Sequence, residues 1–143
     1  MPSVKRKTQV PYNASQMFDL VNDVEAYPQF LQWCRGAHIQ RTDGDVIEAV
    51  VDIGIGGLKQ SFTTKNTLER PNSIAMELVS GPFRHLQGGW RFTDLSDGGS
   101  EVCLELDFEV QRSPLSVVFA TVFEELARAQ MSAFVRRAEQ QYG

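Results

Sequence analysis

Between residues 37 and 110 the chain is cut repeatedly by turn formers: Asp43-Gly44, the glycines at 54, 56 and 57, Pro71-Asn72, Gly81-Pro82 and Asp97-Gly98-Gly99. Between the cuts, apolar and polar residues alternate with the period of two that marks a half-buried strand. The pattern predicts strands over 37–42, 45–53, 60–69, 73–80, 86–94 and 101–110, and connectors this short mean an antiparallel meander. Alternation puts Phe62, Leu68, Ile74, Met76, Leu78, Trp90, Phe92, Val102, Leu104, Leu106 and Phe108 on one face. Lys65, Glu69, Glu77, Arg91, Glu101, Glu105 and Asp107 fall on the other. One face of the sheet is therefore apolar and needs a cover.

The cover is found after Ser113-Pro114, an N-cap followed by proline at the first helical position, beyond which no Gly or Pro occurs until Gly143. Leu115, Val118, Phe119, Val122, Phe123, Leu126, Ala133, Phe134 and Ala138 mark one broad stripe of a helix about 25 residues long. Ahead of the meander, Val4 to Val10 alternates like a strand whose lysines suit a sheet edge, and it stops at Pro11. Asn13 and Gln16 form a capping-box pattern, with Ala14, Met17, Phe18 and Val21 at helical spacing. Asp23 opens a shorter helical piece through Tyr27, which Pro28 interrupts, leaving Phe30, Leu31 and Trp33 in an irregular apolar segment. The expected fold is α+β: a strand, two short helices, six more strands and a long C-terminal helix around which a curved antiparallel sheet wraps. No repeat or linker divides residues 1–143, which read as one domain.

A chain of 143 residues, 42% hydrophobic, buries a core without disulfides or metal. No apolar run approaches the ~20 residues that span a bilayer, and Met1 to Lys7 lacks the apolar stretch of a signal peptide, so a cytoplasmic protein is expected. Cys34 and Cys103 are isolated, which leaves no support for a zinc or dithiol site. Nine Phe against three Tyr and two Trp point to a greasy interior, and whether it is full or hollow is the functional question. The net charge of −4 argues against general attraction to nucleic-acid backbones, and no DNA partner is expected. The bases are uneven, however. Lys5-Arg6-Lys7 lies at the start and Arg128, Arg136 and Arg137 near the end, with an acidic run of Glu101, Glu105, Asp107 and Glu109 between. Such runs are usually solvated faces; the alternative is a basic edge that meets RNA or anionic lipid.

The sequence offers little acid–base machinery. Neither His38 nor His85 has a neighbouring pattern that would make it a general base or ligand, and there is no nucleophile elbow. Gly54-Ile55-Gly56-Gly57-Leu58-Lys59 lacks the spacing of a phosphate loop and joins two strands. Glu124 and Glu125 are adjacent on a helix and face no common point. No catalytic residue is assigned. Strand 60–69 is more informative, because the parity that buries Phe62 and Leu68 also turns Thr64 and Asn66 inward. A buried amide without a partner costs about 1–3 kcal/mol, so these two either bond within the protein or meet the polar end of a ligand. Trp33, Phe62, Met76, Phe83, Trp90, Phe92, Phe119 and Phe123 would supply the wall of such a pocket or simply the core. Phe30, Leu31 and Trp33 either seal the end of the domain or form a lid over it.

Val21-Asn22-Asp23-Val24-Glu25-Ala26-Tyr27-Pro28-Gln29-Phe30-Leu31, with Trp33-Cys34 after it, resembles the signature of the ribosome association toxin and coenzyme Q-binding START-like proteins, within the polyketide cyclase/dehydrase (SRPBCC) superfamily. The similarity continues in Phe62-Thr63-Thr64-Lys65-Asn66, in Gly81-Pro82-Phe83 with Leu86, Gly88, Trp90 and Phe92, and in Asp107-Phe108. It closes with Val122-Phe123 through Ala127, Met131, Ala133-Phe134 and Arg137-Ala138. Gln32 stands where the family usually has proline, and Val110 where an aromatic is common. The resemblance implies a helix-grip fold with a cavity between sheet and helix, and two functional themes. One is non-enzymatic binding of a polyprenyl quinone such as ubiquinone, in support of respiration and with transient contact at the inner membrane surface. The other is binding to the large ribosomal subunit, which blocks subunit association and translation. It implies no required cofactor and no established catalytic residue.

Overall fold

The computed structural model describes residues 3–113 and 116–143. Its elements are β1 (Ser3–Val10), α1 (Ala14–Asn22), a 3-10 segment (Val24–Gln29), β2 (Cys34–Asp43), β3 (Val46–Ile55), β4 (Leu58–Glu69), β5 (Ser73–Ser80), β6 (Phe83–Asp94), β7 (Ser100–Val110) and α2 (Ser116–Tyr142). The expected helix start at Pro114 and the first stripe residue, Leu115, lie outside the described residues.

Strands β2 to β7 pair in sequence order as an antiparallel meander, and β1 pairs with β7 from Ser3 opposite Asp107 to Val10 opposite Ser100. The curved seven-stranded sheet thus has β1 and β2 at its edges. Alternation holds where the ladder is regular. Along β7, Val102, Leu104, Leu106 and Phe108 are buried, while Glu105 and Asp107 face water. Three strands begin two or more residues earlier than alternation indicates: β2 at Cys34, β4 at Leu58 and β6 at Phe83. Register shifts at Cys34/Gly36 and Phe83/His85 account for two of these, because a bulge breaks period two while the ladder continues past it.

Gly88 shows how closely the strands approach. It lies at φ 153°, and a Cβ built there would sit 2.0 Å from the carbonyl oxygen of Glu105 on β7. A Cβ on neighbouring Gly89 would sit 2.3 Å from the carbonyl oxygen of Ile74 on β5. The pair lets three backbones meet where side chains would hold them apart.

Helix α1 is capped as expected. The Asn13 side chain accepts from the Gln16 amide at 2.8 Å, the Asn13 amide donates to Gln16 Oε1 at 2.9 Å, and the Ala14 amide adds a bond to Asp94 Oδ1 at 2.8 Å. The second short helix is a 3-10 segment that runs through Pro28 to Gln29, beyond the interruption expected there, and Asp23 sits at its N-cap position without a side-chain bond. The apolar segment after it is irregular but tied down. The Leu31 amide donates to the Tyr27 carbonyl, the Cys34 amide to the Leu31 carbonyl and the Gly54 amide to the Trp33 carbonyl, each at 2.9 Å.

Helix α2 covers the apolar face from Phe119 onward, burying Phe119, Phe123, Leu126, Ala127, Met131, Phe134 and Ala138. Val118, assigned to this stripe from its spacing, is instead 56% exposed and Val117 73%, while Phe119 beside them is 2% exposed and packs on Phe83, so Val118 lies off the face that α2 turns to the sheet. At the other end, Tyr142 stacks obliquely on Tyr12 and its hydroxyl donates to the Gln16 carbonyl at 3.0 Å. Two substitutions test this architecture by urea unfolding. Gly88→Ala should lose more than about 1 kcal/mol, and Asn13→Ala about 1 kcal/mol.

Candidate functional site

Two groups of aromatic rings join α2 to the sheet. Around the first described turns of the helix, Phe123 meets Phe108 at 4.8 Å, Phe83 at 4.9 Å, Phe119 at 5.9 Å and Phe62 at 6.0 Å between ring centroids. Further along, Phe134 meets Trp90 at 5.2 Å, Phe30 at 5.3 Å and Tyr27 at 5.4 Å, and Trp90 stacks parallel to Phe92. A cavity of about 70 Å³ remains between the groups. Phe62 and Phe123 line it from the first group, Tyr27 and Trp90 from the second. Ala49 on β3 and Ala127 on α2 line it as well, and their short side chains leave this space unfilled.

Seven of the twelve candidate positions line this cavity: Trp33, Phe62, Thr64, Asn66, Met76, Trp90 and Phe123. Phe83 and Phe119 belong to the first aromatic group, and Phe92 lies under Trp90 and against Phe18. Phe30 and Leu31 line a separate, open groove on the outer side of α2, and Trp33 lines both spaces. Leu31 is 2% exposed, which makes it a core residue. Tyr27, Ala49, Ala127 and Gln130 also line the cavity but were not assigned from sequence. The one available signal was alanine on buried faces otherwise filled by large side chains.

The polar content of the cavity is small. Thr64 Oγ1 donates to Asn66 Oδ1 at 2.8 Å, and both residues are buried. Both residues line the cavity. The Tyr27 hydroxyl donates to the Val21 carbonyl, and burial pushes its pKa up. Cys34 lies outside the cavity lining. Its thiol donates to the Gly36 carbonyl at 3.3 Å, and burial pushes its pKa up to about 11. His38 is exposed and His85 half-buried, and neither lines the cavity. The described residues contain no cluster of His, Cys, Asp or Glu able to hold a metal ion, and no described helix is long and apolar enough to cross a membrane.

Four of the bases are matched to a carboxylate among the described residues. On β1, Lys5 lies opposite Glu105 and pairs with it at 3.5 Å. Arg84 likewise pairs with Glu109, and Arg128 with Glu124 one turn away. The acidic run of β7 is thus partly matched by bases that chain order had kept apart. Arg136 and Arg137 have no ion pair among the described residues.

Two outcomes test the interior. Thr64→Val should cost about 1–3 kcal/mol by leaving the Asn66 oxygen without its donor, whereas Thr64→Val with Asn66→Leu removes both partners and should return stability close to wild type. The Cys34 shift has a definite sign. A thiol whose folded pKa lies above its ordinary 9 stabilises the fold fully below pH 9, and this contribution is lost as pH rises toward about 11. Urea unfolding across that window should show stability falling, with a shallower fall in Cys34→Ala.

A sequence profile described as polyketide cyclase/dehydrase and lipid transport matches residues 10–136. The ribosome association toxin RatA of Escherichia coli is 44% identical over 142 residues, covering 99% of this chain and 90% of that protein. The protein of the same name from Vibrio cholerae is 43% identical over 143 residues, covering 100% and 99%. The mitochondrial coenzyme Q-binding protein homolog B of Xenopus laevis is 27% identical over 137 residues, covering 92% of this chain and 56% of that protein. Among solved structures, an 18 kDa protein from Caulobacter crescentus superposes with a TM-score of 0.76 at 31% identity, covering 100% of this chain and 99% of the other. A Streptomyces aromatase/cyclase superposes with a TM-score of 0.85 at 18% identity, covering 99% and 96%, a likeness of fold alone. The chain belongs to the polyketide cyclase/dehydrase and lipid transport family, with the helix-grip architecture of START-like proteins.

Proposed function

We propose that this protein acts without catalysis, in the cytoplasm, by binding the large ribosomal subunit and blocking its association with the small one. The observation that carries this is its 43–44% identity, over essentially the whole chain, to proteins named ribosome association toxins. The cavity adds a physical reason to place this ahead of ligand carriage. At about 70 Å³ it is far below the ~300–1,000 Å³ typical of small-molecule pockets.

Ligand binding remains a second function of the same fold. A mostly apolar wall that includes Thr64 and Asn66 suits the polar end of an amphipathic molecule, and the family description includes lipid transport. A polyprenyl quinone would require the wall to open, and Trp33 is where it would do so, because this residue lines both the cavity and the outer groove. Burial of the tail would return about 25 cal/mol per Å² of apolar surface. Such a ligand would be taken up during transient contact with a membrane surface.

Co-sedimentation with purified large subunits, followed by gradient analysis of joined ribosomes, tests the first function. Binding with a shift toward free subunits is expected, and unchanged association at excess protein would count against it. Organic extraction and mass spectrometry of protein from its native host tests the second. Ala127→Met, which places a side chain into the cavity, should abolish quinone uptake while leaving subunit binding intact.

A further inference from the structure

We infer that the outer groove between residues 29–33 and the C-terminal half of α2 holds an unpaired RNA nucleotide, its base against Trp33 and its phosphate on Arg136 and Arg137. This deepens the proposed ribosome association and rests on it. The groove has a volume of about 480 Å³ and is open to water. Ala129 and Ala133 line it from the helix, and their small side chains let a planar group approach the helix surface. Phe30 and Trp33 supply aromatic surface opposite, and Gln32 and Gln140 supply amides able to donate to and accept from a base edge. No carboxylate lines the groove.

The charges lining the groove suit an anion, two arginines with no carboxylate. Arg136 and Arg137 have no ion pair among the described residues, which is true of Arg6, Lys7 and Arg91 as well, but these two are the bases that line this groove together. Arg137 is already held in place. Its guanidinium lies 5.0 Å over the Phe30 ring, one terminal nitrogen donates to Gln29 Oε1 at 2.8 Å, and its Nε is buried without a partner. Arg136, exposed on the next position, is free to turn toward a phosphate. Since the chain as a whole carries −4, attraction to RNA has to be local. Aromatic surface, arginine and side-chain amides together are the means by which proteins hold splayed bases, and a base paired in a duplex offers no free face to stack. A lipid acyl chain would meet three glutamines and two arginines in this space.

Tryptophan fluorescence provides the readout, because Trp90 is 3% exposed and only Trp33 is placed to be quenched by a stacking base. Titration with short unstructured oligoribonucleotides should quench the wild type. Arg136→Glu, at an exposed position, should weaken both this titration and large-subunit co-sedimentation by about tenfold. It should also reduce the log–log salt slope by about 0.7. Lys7→Glu, the same charge change on β1, should leave both within about twofold of wild type. The inference is overturned if oligoribonucleotides do not quench the wild type, if Arg136→Glu binds as tightly as wild type, if Lys7→Glu loses as much as Arg136→Glu, or if phosphatidylglycerol vesicles quench and RNA does not. Failure of wild-type protein to co-sediment with large subunits overturns ribosome association itself and leaves the groove to be decided by the titration.

Discussion

Phe123 is where the sheet and the long helix are joined. Its ring stands within 6.0 Å of Phe62 on β4, Phe83 on β6, Phe108 on β7 and Phe119 on its own helix, so one side chain of α2 engages three strands. Edge-to-face contacts of this kind add to the burial of the rings themselves and impose orientation. Once α2 is fixed here and by Tyr142 at its far end, the space between is set by what lies along the helix. Phe134 fills its part of that span and Ala127 does not, and the cavity follows from the difference.

The cavity and the outer groove are separated by a thin wall that includes Trp33, a residue tied through its carbonyl to the Gly54 amide on β3. An interior ligand and an exterior partner would therefore press on one side chain from opposite sides.

Much of the fold was legible because antiparallel meanders advertise themselves locally. Turn residues and period-two alternation place each strand, and the parity of β4 alone turned Thr64 and Asn66 inward. Legibility failed where local pattern and tertiary contact part company. The bulges at Cys34/Gly36 and Phe83/His85 let strands continue past the loss of alternation, and Val118 matched the helical stripe although only its neighbour Phe119 is turned onto the sheet. Of the site, the large aromatic residues could be anticipated as a set but not sorted. Phe92, Phe83 and Phe119 share the composition and spacing of Phe62 and Phe123, yet they stand behind the cavity surface.

The sequence by itself determined the order of elements, the apolar face and the helix that must cover it, because each depends on spacing along a few neighbouring residues. Only the tertiary structure decided which bases are neutralised and how much of the aromatic interior is hollow. Lys5 meets Glu105 because β1 crosses the chain to pair with the last strand, whereas the groove that Arg136 and Arg137 line contains no carboxylate. The cavity within the Phe-rich core measures about 70 Å³ and is lined by residues of several elements, among them two alanines on β3 and α2, which no local pattern brings together.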